Sequence, residues 1–158
     1  MTAKTDLFAA APSMMKDWQR AATQLAATAN FDPPLTELVK LSASQINGCA
    51  NCLNLHATEA RERGETEQRI YLLSAWRDAP CYSDRERAAL GWTEALTRLC
   101  EGNAHVSALA ALRAQFTEEE QVKLTMTINV INGWNRICVG FGLYADAAAI
   151  RAAAKSAA

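Results

Sequence analysis

Helix-start signals recur along this chain, and no alternating strand pattern separates them. The two clearest are capping boxes, in which Ser83 precedes Glu86 and Thr117 precedes Glu120 by three positions. Each box lets a hydroxyl and a returning carboxylate bind backbone amides that the first helical turn leaves unpaired. We therefore predict an all-α fold, a helical bundle.

The remaining boundaries follow from proline, asparagine and glycine. Asp32 before Pro33 predicts an N-cap with proline at the first helical position, and Asn47 with Gly48 predicts the C-cap of the same helix. Gly64 predicts the end of the helix that begins near residue 49. The predicted helical segments are about 13–28, 33–47, 49–63, 67 toward 80, 84–100, 107–115 and 118–134.

The size and charge of the chain exclude several classes of protein. Its 158 residues are half hydrophobic, which suffices for one domain over residues 1–158 with its own core. The net charge of -1 offers no basic surplus for nucleic acid or an anionic membrane. The apolar stretch 7–11 is too short for a secretory signal. We expect a cytoplasmic protein that binds neither nucleic acid nor membranes.

The predicted helix from Thr117 to about Trp134 has apolar residues all round its wheel. A helix of this kind is buried on most sides. In a small protein such burial is easier when a second subunit covers part of the helix. We therefore predict a homo-oligomer.

Thiol chemistry is indicated by a C-x2-C-x3-H run formed by Cys49, Cys52 and His56 at a predicted helix start. At 100° per residue the three side chains fall within about 60° of one another on the apolar face. The helix dipole and the free amides of a first turn favour a thiolate over a thiol.

Three interpretations of this run compete. It could be an ordinary buried helix face, a zinc site or a thiol redox site. A structural zinc site needs four ligands, and the only other histidine, His105, lies in a different segment. The spacing of two thiols and an imidazole at a helix start favours redox chemistry.

The other candidate residues carry weaker signals. Glu37 lies away from the main apolar stripe of its helix, which predicts an exposed carboxylate, although Leu41 one turn later suggests that a second side is covered. The charged run 84–87 is typical of solvated helix surface. Cys81, Cys100 and Cys138 stand alone in the sequence and are interpreted as small buried or incidental residues.

With these residues assembled, the chain resembles the carboxymuconolactone decarboxylase superfamily, and within it the alkyl hydroperoxidase D-like branch. The pattern E-x11-C-x2-C-x3-H is filled by Glu37, Cys49, Cys52 and His56 without insertion. The flanking segments 38–49, 65–71 and 131–136 are also similar to small members of the family. The resemblance implies an all-α, single-domain fold that carries the motif on a helical hairpin, with a motif core at about 32–100, and assembly into dimers, trimers or hexamers.

The resemblance also implies an activity. A peroxidase of this type would use Cys52 as the peroxidatic thiol, Cys49 as the resolving thiol, and Glu37 with His56 as a proton relay. No resident cofactor or metal is implied. The substrate would be a hydroperoxide and the reductant a dithiol, which in the best-known relatives is a lipoyl-bearing protein. Asn51 stands where those peroxidases often carry histidine, and an amide does not shuttle protons at neutral pH.

Two alternatives stay open at this point. In thioredoxin-like sites the first cysteine is usually the nucleophile, which would be Cys49, whereas the position of His56 one turn beyond Cys52 favours Cys52. A non-enzymatic thiol redox sensor or a zinc-binding interaction module is the alternative function.

Overall fold

The computed structural model describes residues 5–144, and this part of the chain contains eight α-helices, two short 3-10 helices and no strand. The all-α prediction is therefore confirmed. The predicted alanine-rich end, 147–158, lies outside the described residues. The helices are α1 (Leu7–Ala10), α2 (Pro12–Ala29), α3 (Pro33–Asn47), α4 (Ala50–Glu62), α5 (Glu67–Leu72), α6 (Asp84–Thr97), α7 (Ala104–Gln115) and α8 (Glu118–Gly140).

Local sequence signals account for most of the helix boundaries. Both capping boxes form, with Ser83 capping α6 and Thr117 capping α8. Asp32 accepts a hydrogen bond from the Leu35 amide at the start of α3. Gly48 ends α3 with a φ of 66°, a left-handed conformation that glycine adopts at little cost.

Helix α3 is the centre of the bundle, because it packs against α4, α6 and α8. Leu38, Val39 and Leu41 are at most 1% exposed, so this helix is covered on more than one side. Burying a side chain of this size contributes about 1.5–3 kcal/mol relative to leaving it exposed. The central position of α3 holds the loop that leads into α4 against the rest of the bundle.

The segment after Thr66 differs from the prediction of one helix running toward residue 80. Helix α5 ends at Leu72, and a 3-10 turn, Leu73–Ala75, follows. The Arg87 guanidinium donates hydrogen bonds to the carbonyl oxygens of Trp76, Arg77 and Ala79. Because a side chain satisfies these carbonyls, the chain can turn without further helical hydrogen bonds.

Helix α8 is longer than predicted and is not covered on most sides within the protomer. It continues to Gly140, because its last turns pack against α3 and α4 through residues such as Cys138. Its inner face buries Leu124 and Ile128, whereas Val122 is 64% and Val139 50% exposed.

Helix α2 packs against α8 at a glycine. A Cβ atom at Gly133 would lie 2.7 Å from the Trp18 ring, so only a hydrogen fits at this contact. Trp18 also lies beside Trp134, with ring centroids 5.8 Å apart. The missing side chain at position 133 therefore allows the two helices to approach closely.

Within residues 5–144, no helix combines the length and the apolar character that crossing a membrane requires.

Candidate functional site

The two cysteines of the C-x2-C-x3-H run lie at the corner between α3 and α4. Cys49 is the N-cap of α4, and its Sγ accepts a hydrogen bond from the Cys52 amide at 3.3 Å. The two residues form a disulfide with a Cα–Cα distance of 5.4 Å. Both side chains are buried, at 1% and 3% exposure. The prediction that Cys49 and Cys52 share one dry helix face is confirmed.

A buried network of amide side chains fixes this corner. Asn47, the last residue of α3, donates through Nδ2 to Oδ1 of Asn132 at 2.7 Å and of Asn135 at 2.9 Å. Asn135 in turn donates to the Ser44 hydroxyl, and Asn132 to the Thr97 hydroxyl. Because the network joins α3, α6 and α8, it holds the residue before Gly48 in place. No local signal in the sequence indicates this role for Asn132 and Asn135.

Glu37 is buried, so the exposure predicted from the helical wheel is wrong. Its side chain is 2% exposed, with Oε2 lying 3.0 Å from His56 Nδ1 and Oε1 3.0 Å from Lys40 Nζ. Arg63 Nε lies 3.9 Å from the same Oε1. The wheel failed because α3 is covered by α4 on the side where Glu37 lies. The structure therefore brings Glu37 to the histidine with which the resemblance grouped it.

His56 is held between two carboxylates. Its Nδ1 donates to Glu37 Oε2 and, at 3.1 Å, to Glu59 Oε2. Burial acts to lower the pKa of His56, but the hydrogen bonds to Glu37 and Glu59 outweigh it and raise the pKa. Burial likewise acts to raise the pKa of Glu37, and the contacts with His56 and Lys40 overcome it and lower the pKa to about 2. Both directions favour an imidazolium–carboxylate ion pair.

A cleft of about 820 Å³ opens onto this pair. Its walls come mainly from α2 and α8, and its floor from α3 and α4. Cys52 and His56 lie one helical turn apart on this floor. Cys49 does not line the cleft. Among the polar and sulfur-bearing side chains of the lining are Glu37, Lys40, Asn51, Cys52, His56, Arg63, Thr127 and Cys138.

A third cysteine lies beside the disulfide. The Sγ atoms of Cys49, Cys52 and Cys138 all lie within 4.8 Å of one another. Cys138, in the last turns of α8, is a free thiol at 6% exposure, and Asn51 Nδ2 donates to its Sγ at 3.6 Å. Burial raises the pKa of the Cys138 thiol. Cys138 lies far from Cys52 along the chain, so no local signal in the sequence indicates this contact.

Two groups of side chains in the described part of the chain are arranged so that they could hold a metal ion. One is the set of three cysteines, and the other consists of Glu37, His56 and Glu59. His105 belongs to neither group. Three thiolates are soft ligands that suit Cu(I) or zinc, although a structural zinc site would need a fourth ligand. Disulfide formation between Cys49 and Cys52 withdraws two of the three thiolates.

Two known proteins are similar to this chain in sequence, and one of them is also similar in structure. The protein YdfG of Bacillus subtilis, which is uncharacterized, is 43% identical over 106 residues, covering 67% of this chain and 72% of YdfG. The crystal structure of ATU0492 from Agrobacterium tumefaciens is 40% identical, covers 91% of this chain and 99% of its own, and superposes with a TM-score of 0.85. ATU0492 is a protein of unknown function whose suggested role is that of an antioxidant defence protein, AhpD.

More distant relatives share the fold alone. The debrominase Bmp8, crystallised as a cysteine-to-alanine variant with 2,3,4-tribromopyrrole, is 16% identical, with a TM-score of 0.76 over 94% of this chain and 79% of its own.

The family model of carboxymuconolactone decarboxylases matches residues 12–95, which include the whole motif from Glu37 to His56. The chain is therefore a member of the carboxymuconolactone decarboxylase family, and its fold is that of the AhpD-like proteins.

Proposed function

We propose that this protein is a thiol-dependent oxidoreductase that reduces hydroperoxides through Cys49 and Cys52. The observation that carries the proposal is the position of Cys52, which forms a disulfide with Cys49 and lies in the same cleft as the His56–Glu37 ion pair. A site for peroxide reduction needs an attackable thiol, a second thiol to resolve it and a proton donor within reach of the leaving oxygen.

We assign Cys52 as the peroxidatic cysteine. Cys52 lines the cleft, whereas Cys49 is 1% exposed and lies outside the lining. His56 follows Cys52 by one turn on α4, so a protonated imidazole favours the thiolate form of Cys52. Cys49 accepts the Cys52 amide hydrogen bond at the helix start, which suits a thiolate that is displaced when the disulfide is reduced.

The proposed reaction follows from these assignments. The Cys52 thiolate attacks the terminal peroxide oxygen, the O–O bond breaks, and the departing alkoxide takes a proton from His56. Cys52 is now a sulfenic acid, and the Cys49 thiol condenses with it to give the disulfide and water. Glu37 and Glu59 hold the imidazole through Nδ1, so proton exchange with the reacting atoms is assigned to Nε2. A dithiol reductant then returns both cysteines to thiols.

The cleft supports a hydroperoxide with an organic group. Its volume of about 820 Å³ far exceeds what hydrogen peroxide needs, and apolar side chains of α2 and α8 form much of its walls. Ligand pockets of this kind commonly measure about 300–1,000 Å³. The proposed reductant is a dithiol, with a lipoyl-bearing protein as the candidate that the AhpD-like resemblance implies.

The proposal is tested with Cys52→Ser and a matched Cys100→Ser control, because Cys100 is an exposed free thiol outside the site. With an organic hydroperoxide and a dithiol reductant, Cys52→Ser should lose peroxide consumption and Cys100→Ser should keep it. Equal rates for Cys52→Ser and the wild type would refute the proposal. A sulfenic acid trapped on Cys49 in Cys52→Ser, with activity retained, would move the peroxidatic role to Cys49.

The cluster of three thiols favours a second candidate function. In the reduced protein Cys49, Cys52 and Cys138 form a soft ligand set, as expected for a zinc-binding module or a redox sensor without turnover. This candidate predicts one zinc per chain after reduction and dialysis, released on oxidation, with no peroxide consumption. A metal assay beside the peroxide assay separates the two candidates.

We also propose that the protein assembles as a homo-oligomer, a dimer, trimer or hexamer. The support is the apolar outer face of α8, where Val122 and Val139 are at least half exposed in the protomer. Light scattering coupled to size exclusion should give a multiple of the 17.2 kDa chain mass. A monomer at high protein concentration would contradict this proposal.

A further inference from the structure

The proposed reaction uses only Cys49 and Cys52, but a third cysteine, Cys138, lies close to both of them. Its Sγ, like those of Cys49 and Cys52, is within 4.8 Å of the other two sulfur atoms. The three side chains share one buried cluster with Ala43 and Ile131. Side-chain rotation and a small shift of helix ends cover such a distance, so Cys138 can reach either partner.

The surroundings select Cys52 as the partner of Cys138. Both side chains line the cleft, whereas Cys49 does not. Asn51, next to Cys52 on α4, donates a hydrogen bond to the Cys138 sulfur and holds it toward the first turn of that helix. Attack on Cys52 also releases Cys49 as a thiolate at the helix N-cap, where the Cys52 amide stabilises it.

We propose that Cys138 is a second resolving cysteine that forms an alternative disulfide with Cys52. This inference rests on the proposed function for its role in turnover. When the Cys49 thiol is blocked, or replaced as in Cys49→Ser, the Cys138 thiol condenses with the Cys52 sulfenic acid. The S–O bond breaks, an S–S bond forms, and the hydroxyl leaves as water with the thiol proton. The Cys52 sulfur is reduced and the Cys138 sulfur is oxidised, so no further reductant is consumed.

The same disulfide is also reached by exchange without net oxidation. The Cys138 thiolate attacks Cys52 in the Cys49–Cys52 disulfide, the old S–S bond breaks, and its electron pair remains on Cys49. Burial raises the pKa of Cys138 and keeps it largely in the thiol form, which makes this exchange slow at rest. When Cys49 does not react, Cys138 converts the Cys52 sulfenic acid to a disulfide. A second peroxide then cannot oxidise Cys52 to the sulfinic acid.

The test uses the full-length Cys49→Ser variant, reduced and then treated with one equivalent of an organic hydroperoxide in the presence of dimedone. We expect loss of two hydrogens in the intact mass and a cross-linked peptide that joins Cys52 to Cys138. The Cys49→Ser/Cys138→Ser double variant should instead carry dimedone on Cys52. The Cys49→Ser/Cys81→Ser variant is the matched control and should still form the cross-link, because Cys81 is a free thiol outside the cluster.

The outcomes distinguish the inference from the proposed function. Dimedone on Cys52 in both Cys49→Ser and the double variant overturns the inference and leaves the peroxidase standing. No adduct in the double variant refutes peroxide attack by Cys52. A parallel incubation of Cys49→Ser with oxidised glutathione needs no peroxide chemistry. There the Cys52–Cys138 cross-link supports the inference, and a lasting glutathione adduct on Cys52 overturns it.

A variant that keeps the main pair intact gives an independent readout. In Cys138→Ser, excess peroxide should convert a several-fold larger fraction of Cys52 to sulfinic acid than in the wild type, as measured by peptide mass spectrometry. Equal fractions in the two proteins would overturn the protective role. Circular dichroism of each variant confirms that the helical fold is retained.

Discussion

Two of the clusters of buried or half-buried charge in the described part of this bundle differ in the groups that lie beside them. In the first, Glu37 pairs with His56 on the floor of the cleft, one turn from Cys52. In the second, Arg69 binds Glu65 at 2.9 Å and Glu86 on α6, and donates to the Cys81 carbonyl oxygen. Burial acts on Arg69 to lower its pKa, but the two carboxylates outweigh it and raise the pKa.

The difference between the clusters is what their charges can do. Arg69 never loses its proton in the ordinary pH range, and its partners are carboxylates and a carbonyl that join α5 to α6. His56 can exchange a proton, and its neighbour along the cleft floor is Cys52 of the disulfide. A perturbed pKa alone therefore does not identify a site, because a structural ion pair shows the same sign.

The largest effect should follow from Glu37→Gln, which keeps the shape of the side chain and removes its charge. Without the carboxylate, His56 loses a partner that favours its protonated form. We expect kcat/KM for organic hydroperoxide to fall about 100-fold, the lower end of what general acid–base catalysis contributes, because Glu37 acts through His56. Glu86→Gln is the matched control in the second cluster and should keep the wild-type value. Equal losses of kcat/KM in Glu37→Gln and Glu86→Gln would contradict the proposal that only the first cluster serves the reaction.

The pH dependence of stability should separate the clusters next. The lowered pKa of Glu37 stabilises the folded protein above its ordinary value of 4.5, and this contribution is lost as the pH falls toward about 2. The raised pKa of His56 stabilises it below 6.5 and is lost as the pH rises through the folded value.

The stability difference between wild type and Glu37→Gln should therefore be largest between pH 4.5 and 6.5. We expect about 3 kcal/mol there, as is common when one partner of a buried pair is removed. Urea unfolding across the pH range measures this difference. A difference that stays constant from about pH 3 to about pH 9 would show that the ion pair does not contribute to stability.

A smaller effect on stability is expected for Glu86→Gln, which removes both a capping-box carboxylate and a partner of Arg69. We expect a loss of about 2 kcal/mol, since a helix cap and a charged hydrogen bond each contribute on the order of 1 kcal/mol. Chemical denaturation gives the value. A loss within error of zero would show that the second cluster is merely a surface feature, as the sequence suggested for residues 84–87.

The smallest effect should come from an exposed pair that serves as the baseline for both clusters. Arg20 and Asp17 lie 2.8 Å apart on α2, with side chains about two-thirds exposed. We expect Asp17→Asn to change stability by no more than about 0.5 kcal/mol, because solvent and salt screen such pairs. A loss as large as that of Glu86→Gln would mean that burial is not what distinguishes the clusters.

Sequence patterns predicted the features of this protein that depend on near neighbours. The caps of α6 and α8, the Gly48 stop and the shared face of Cys52 and His56 follow from interactions within four residues, so they could be recognised without the fold. The same argument explains the success of the all-α prediction.

Features that depend on packing between distant segments escaped prediction. The wheel predicted an exposed Glu37, because it cannot show that α4 covers that side of α3. Cys138 and the asparagines at 132 and 135 reach the site only through the path of α8 across α3 and α4. The resemblance to a family assigned Glu37 to the site in spite of the wheel, but it gave no information about Cys138.

The contact between Gly133 and Trp18 has a consequence for how the cleft can evolve by substitution. A methyl group at position 133 would clash with the Trp18 ring, so the ring or the helices would have to shift, and α2 and α8 form the opposing walls of the cleft. Position 133 thus bears on the packing of the two walls, although Gly133 is not among the residues that line the cleft. Selection could retune the size of accepted molecules through this single position and leave the chemistry on the floor of the cleft unaltered.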